Sequence, residues 1–272
     1  MKILIKGLVL FGLMIQFSCN SNNVKVDGSL KKFFDENKVN GSFAVFDNSH
    51  GDFIVYNLSR YKDSVYVPAQ TFDVILAMAG IQKGVILNEK ENLKPDSNYL
   101  PFFEGAGLNL KDAFETDSNP YFREVAKRIG KDTLQFWIDS LGYGSRYKKA
   151  VIKDVDSFWL DNSIRITPDE QLGLVKRIYF NQLPFQDRPS SIVKSLMAKE
   201  NTANYRMAYI TGFGKDPKGD EVGWIAGWVE ENMHIYPFVL NTEAPANTDL
   251  SKIQVKMMKD IMKQLGFFEG KK

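Results

Sequence analysis

Apolar and polar residues change their period twice along this chain. "GSFAVFDN" (41–48) and "DFIVYNLS" (52–59) are two β-rich runs, and the intervening "SHG" signals a hairpin. Ahead of them, "SLKKFFDENKV" (29–39) reads as a short helix with Phe33 and Phe34 turned inward. From Pro68 to about Glu200 the pattern is mostly helical. "FDVILAMAGI" puts Phe72, Ile75, Leu76 and Ala79 on one face. "PYFREVAKRIGKDTLQFWIDSLGYG" reads as two helical segments divided by Gly130 and stopped by a glycine. "TPDEQLGLVKRIYFNQL" opens with Thr167 as cap, Pro168 at the first helical position and acids in the first turn.

Near Tyr205 the period returns to two. "RMAYITGFG", "EVGWIAGWVE" and "MHIYPFVLNT" read as three successive strands joined by short turns, and "LSKIQVKMMKDIMKQLGFF" closes the chain as an amphipathic helix. Trp224 and Trp228 are an even number apart and so share a strand face. Strands come from both ends of the chain and helices fill the middle. The simplest solution is an α+β domain with one antiparallel sheet of about five strands, covered by the terminal helices, and a mostly helical lobe beside it.

The first segment changes the cellular picture. "MKILIKGLVLFGLMIQFSC" has Lys2 and Lys6, then an apolar run that is short for a membrane span and suits an export signal. It ends at Cys19, the one cysteine among 272 residues, and polar "NSNN" follows. This layout resembles a bacterial lipoprotein signal, which makes Cys19 a candidate for lipidation. A plain export signal with Cys19 incidental is the alternative. The expected organisation is a signal at 1–19, a polar tether at 20–28 and a folded domain over 29–272. The expected location is the bacterial envelope, periplasmic or at the outer membrane. With one cysteine no internal disulfide forms, so stability must come from packing.

Composition adds exclusions. The chain is 44% hydrophobic, enough for a large core. Lys and Arg total 35 against 33 Asp and Glu, a net charge of +2, which argues against a dedicated nucleic-acid binder. His50 and His234 are far apart in sequence, and no metal-ligand spacing or Gly-rich phosphate loop is present, so no metal or cofactor is expected.

Several blocks resemble one family in order. "GSFAVFDNSHGDFIVYNLSRYKDSVYVPAQTF", "DSFWLDNSIRITPDEQLGLVKRIYFNQLPF" and "YITGFG" followed by "EVGWIAGWVE" resemble the class D, or oxacillinase-type, serine β-lactamases and the penicillin-recognising fold they share. The resemblance covers roughly residues 40–265. It implies a serine β-lactamase/DD-peptidase-like fold. In the active family a Ser of S-x-x-K attacks the lactam carbonyl, and its Lys, usually carbamylated, is the base. An S-x-V serine relays protons, a K-T-G strand and an arginine bind the substrate, and two backbone N–H groups hold the oxyanion.

This sequence departs at nearly every reacting position. In "VPAQTFDVILAMAGIQKGV" (67–85) the nucleophile slot is Gln70, whose carboxamide cannot form an acyl-enzyme, and the base slot is Asp73. The S-x-V slot falls at Asp117-Ser118-Asn119, and a one-residue slip would put Ser118 in the serine position. The K-T-G slot is Ile210-Thr211-Gly212, followed by Phe213; the arginine slot lands near Gln254, with Lys252 and Lys256 close by. Tyr143-Gly144-Ser145 keeps the start of the family's Y-G-N, and Trp159 matches a family tryptophan. Bare S-x-x-K strings at Ser29, Ser59, Ser145 and Ser191 lack the strand and apolar-helix context and are read as chance.

The substitutions remove cations and add Asp73 and, by the register above, Asp117. Two unit charges 4 Å apart interact by about 4 kcal/mol at an effective dielectric near 20, so the cleft is expected to repel an anionic lactam. The resemblance therefore implies a catalytically inactive envelope protein that binds a wall peptide, a cationic or neutral small ligand, or a protein partner. Two alternatives stay open: a divergent hydrolase that uses Ser118 or Thr71 with Asp73, and a partner-binding module akin to β-lactam sensors.

Overall fold

The computed structural model describes residues 23–93, 107–144, 146 and 149–272. Cys19, Ser145 and residues 20–22 lie outside them. The hairpin forms as expected: β2 (Asn40–Asp47) and β3 (Asp52–Tyr56) pair antiparallel across a turn that Gly51 closes with φ +77°. β3 stops at Tyr56 because Asn57 turns left-handed and caps α2 (Leu58–Asp63), its side chain accepting from Arg60 N–H.

β5 (Tyr205–Lys215), β6 (Glu221–Glu231) and β7 (His234–Ala244) are the three long strands read from the alternating pattern. Among the described residues the sheet nevertheless has seven strands, in the order β1-β3-β2-β7-β6-β5-β4, rather than five. The two unexpected strands lie at the edges. β1 (Val24–Val26) runs parallel to β3, inside the stretch read as a tether, and β4 (Ala198–Asn201) pairs with β5. Both are short and mostly exposed. They are held by backbone pairing and bury no continuous face, so hydropathy carries no trace of them.

Both faces of the sheet are covered. Ala44, Trp224, Ala226 and Trp228 face the helical lobe, and Trp224 and Trp228 share that face as the spacing requires. Phe43, Val45, Ile225 and Val229 face the other way, where α1 (Lys31–Glu36) and α9 (Gln254–Gln264) add Phe34, Met257, Met258 and Ile261. The lobe contains α3 (Asp73–Lys83), α4 (Leu110–Glu115), α5 (Asn119–Ile129), α6 (Lys131–Leu141), α7 (Pro168–Tyr179) and α8 (Asp187–Met197). Gly130 separates α5 from α6, and Thr167 and Glu170 form a reciprocal capping box at the start of α7.

One expectation about α3 needs correcting. Its apolar residues do not form a single inward stripe: every residue from Asp73 to Ile81 is buried. α3 is the central helix of the lobe, packed against α5 and α8, and the 3-10 turn before it packs against β5. Any polar residue in its first turn is therefore buried too. Among the described residues no helix is long and apolar enough to cross a membrane.

Candidate functional site

The site forms where the head of α3 meets β5. Pro68 leads into a 3-10 turn, Ala69–Phe72, that runs directly into α3. Ala69 has φ +50°, and its N–H donates to the Trp159 carbonyl at 3.0 Å. A left-handed alanine is unfavourable by roughly 1–2 kcal/mol, so the surrounding packing holds this bend. β5 comes close alongside. A Cβ on Gly212 would meet the Thr71 nitrogen at 2.9 Å and the Pro68 oxygen at 3.2 Å, so only glycine lets the strand lie this near.

Gln70 sits at the centre and is almost fully buried. Its carbonyl oxygen accepts from Phe213 N–H at 2.6 Å, and its amide nitrogen donates to Asn119 Oδ1 at 3.0 Å. A free backbone N–H in such a cleft is the kind of donor that stabilises a developing oxyanion. Here the protein's own side chain takes that donor and ties β5 to the start of α5.

One turn along α3, Asp73 is fully buried, and burial pushes its carboxyl well above the usual carboxylate range. Nearby Asp117 raises it further. The Trp159 indole N–H faces Asp73 and favours the charged form, but it closes no hydrogen bond: Asp73 Oδ1 and Trp159 Nε1 are both buried without a partner. Asp117 is itself raised by burial, opposed by a 3.3 Å hydrogen bond that Thr211 Oγ1 donates to it and by Lys199. Burial therefore favours the neutral form of both carboxyls, against the charge that their presence in the sequence suggests.

The register at the start of α5 follows from which side chains face β5. Asp117 meets Thr211, Asn119 meets Gln70, and Ser118 turns away to cap α5 by accepting from Tyr121 N–H. This arrangement places Asp117, rather than Ser118, against Thr211 on β5. Thr71 Oγ1 donates to the Pro68 carbonyl at 2.6 Å and is buried, so neither hydroxyl is hydrogen-bonded to Asp73.

Ile210 is buried in the core below the cleft. Trp159 and Phe72 lie 6.1 Å apart, with Phe158 and Tyr143 against Phe72, so Trp159 belongs to an aromatic wall under the site. Tyr143 donates to Gln171 Oε1 at 3.2 Å. Gln254 is not brought to the cleft: it is buried against Gly223 and bonds Thr242 on β7. Lys252 and Lys256 supply no substitute cation, being paired on the surface with Asp249 at 2.7 Å and Asp260 at 2.6 Å. Asn119 is the residue the sequence reading passed over. Its position in the third place of the S-x-V slot was the available signal, but no pattern predicts its pairing with Gln70.

One trio of carboxylates among the described residues, Asp216, Asp220 and Glu243, comes within 4.8 Å of one another. Arg60 already pairs with Glu243 at 2.8 Å, and the N–H groups of Lys218 and Asp220 donate to Asp216. These groups answer one another's charge and hydrogen-bonding needs.

Comparison with known proteins places this geometry. Residues 30–263 match the family model described as penicillin binding protein transpeptidase domain. Beta-lactamase OXA-48 of Klebsiella pneumoniae is 28% identical over 234 residues, covering 85% of each chain. The regulatory protein BlaR1 of Bacillus licheniformis is 26% identical over 212 residues, which are 78% of this chain and 34% of that protein. Among solved structures, a class D β-lactamase from Sebaldella termitidis superposes with a TM-score of 0.81 at 25% identity, over 90% of this chain and 98% of that one.

Proposed function

The chain belongs to the penicillin-binding-protein transpeptidase family and has a class D β-lactamase-like fold, and we propose that it binds a ligand in the cell envelope without acylation or ring opening. One observation carries the reading. The residue at the head of α3 is Gln70, and its carboxamide seals the backbone donor of Phe213 instead of presenting a nucleophile. Acyl transfer by this architecture needs a hydroxyl, a base within hydrogen-bond reach and free oxyanion donors. Gln70 supplies no hydroxyl, and Asp73 holds its proton more tightly than an ordinary carboxylate. The hydroxyls of Thr71 and Ser118 are committed to the backbone around them, which weighs against the hydrolase alternative.

The ligand class follows from the same groups. The carboxyl groups of Asp73 and Asp117 keep their protons to higher pH than usual, and the two lysines beside Gln254 point to surface acids. A site whose acids lean neutral, with the lysines beside Gln254 paired elsewhere, suits a neutral partner, such as a wall peptide or a segment of an envelope protein, better than an anionic lactam. The relationship to BlaR1, a regulatory protein, suits a binding role, although that sensor-type reading rests on likeness alone.

The test is direct. Purified protein is incubated with nitrocefin and, separately, with a fluorescent penicillin followed by denaturing electrophoresis. The expected result is neither turnover nor a labelled band. Removing the serine nucleophile of a hydrolase costs on the order of a million-fold. A covalent adduct in the peptide containing Gln70, or ring opening that grows with protein concentration, would reject the reading.

A further inference from the structure

The end of the sheet remote from the cleft has features that the cleft does not explain. Asn23, the first described residue, is fixed there: its carbonyl accepts from Phe53 N–H at 2.7 Å and its side chain donates to the Gly51 carbonyl at 2.8 Å. The β2–β3 turn that it touches lies beside the β6–β7 turn, joined by Ser49 Oγ and His234 Nδ1 at 2.6 Å and by Asn48 N–H to the Ile235 carbonyl at 3.2 Å. The C-terminal residues reach the same place, where Asn232 donates to the Gly270 carbonyl at 2.7 Å.

The β6–β7 connection is a two-residue turn between the paired Glu231 and His234, and both central residues are left-handed: Asn232 at φ 49° and Met233 at φ 63°. Such turns strongly favour glycine in the second place. Here that place holds a methionine, whose Cβ makes the backbone unfavourable and whose side chain is fully exposed at 101%. Scattered exposed apolar residues need no explanation, but one kept at a position where the backbone itself disfavours it does. Among the described residues nothing packs on it.

We infer that this end of the sheet rests on the phospholipid surface of the membrane, with Met233 inserted among the headgroups and the cleft opening away from the bilayer. The inference rests on the reading of Cys19 as a lipidated anchor. Three residues lie between Cys19 and Asn23, and the four steps from one to the other span at most about 14 Å when fully extended. The anchor therefore holds the two turns at headgroup depth. Phe213 pairs with Gly223 on β6, eight residues from Glu231, which sets the cleft about 26 Å farther out at the usual strand rise. The anchored domain would then present its cleft to the wall side of the envelope.

The experiment uses the full chain, processed in a host that lipidates such signals and incorporated into phosphatidylethanolamine–phosphatidylglycerol vesicles. Mass spectrometry of Cys19 and vesicle flotation report anchoring. Single Met233→Cys and Lys218→Cys variants carry an environment-sensitive fluorophore, position 218 lying in the β5–β6 turn at the cleft end. Expected results are a blue-shifted emission at 233 that loses most of its intensity to nitroxide-labelled lipids, and no change at 218. A label at His50, in the neighbouring turn, should lose its shift when Met233→Asp is added. A floating chain whose label at 233 stays in water overturns the inference while leaving the anchor intact, and this is also what a protein partner at that turn would give on pure lipid. A shift at 218 instead overturns it as well. A free Cys19 thiol with no flotation removes the anchor, and the inference with it.

Discussion

Gln70→Ala cuts the tie between β5 and α5, and its cost follows from the bonds it removes. Gln70 is 6% exposed and makes two hydrogen bonds, to Phe213 N–H and to Asn119 Oδ1. A typical intramolecular bond contributes about 0.5–1.5 kcal/mol net, and a buried group left without its partner costs about 1–3 kcal/mol. Phe213 and Asn119 are only half-buried, so water can reach them once the carboxamide is gone, and the lower part of that range applies. The sum is about 2–4 kcal/mol. For a domain of this size, each kcal/mol lowers the melting temperature by about 2–4 °C, so a fall of roughly 4–16 °C is expected. Gln70→Met separates bonding from packing, because it keeps the length of the side chain and removes both polar atoms. It should lose most of the same stability. Thermal unfolding measures both variants, and amide hydrogen exchange should show the Phe213 N–H exchanging faster in each. A melting temperature within 1–2 °C of the parent for Gln70→Ala, or Gln70→Met matching the parent, would refute the idea that the carboxamide ties β5 to α5.

Asp73→Asn replaces a buried acid by its neutral isostere. Burial raises the folded carboxyl above its ordinary value, so the folded state is favoured while the group is protonated, and that stability is lost as pH rises from the ordinary carboxylate range toward the raised value. Asp73→Asn should therefore lose less stability than the parent as pH rises to 7.5, because the amide does not ionise. The gap should close toward pH 4, and melting curves across that range check the sign. Gly212→Ala forces a methyl group against the backbone at Thr71 and Pro68, and overpacking of this kind costs about 1–3 kcal/mol; the expected fall in melting temperature is several degrees. Gln70→Ser restores a hydroxyl but leaves Asp73 where a base is needed, so fluorescent penicillin should still give no band. A labelled serine would show that another group supplies the base.

The long strands and the α5–α6 pair were legible in the sequence because each buries apolar residues at a fixed period. Gln70 and Asp73 were singled out for a different reason: they stand inside a run of Pro68, Ala69, Phe72 and an apolar helix that resembles the family's frame. β1 and β4 left no such mark, since edge strands are held by main-chain bonds to which any residue contributes. The site beyond α3 had no local frame either. Gln70 finds its two partners 49 and 143 residues away, and Asp117 meets Thr211 across 94. The resemblance placed one acid, Asp73, in a slot where the family carries a lysine, but whether it carries charge depends on how much water the fold leaves around it. Residue type and spacing determine which groups are available and which faces are apolar. Proximity and dielectric arise only when distant segments pack together, so the sealing of the Phe213 donor by Gln70 and the raised carboxyl of Asp73 were decided by tertiary structure.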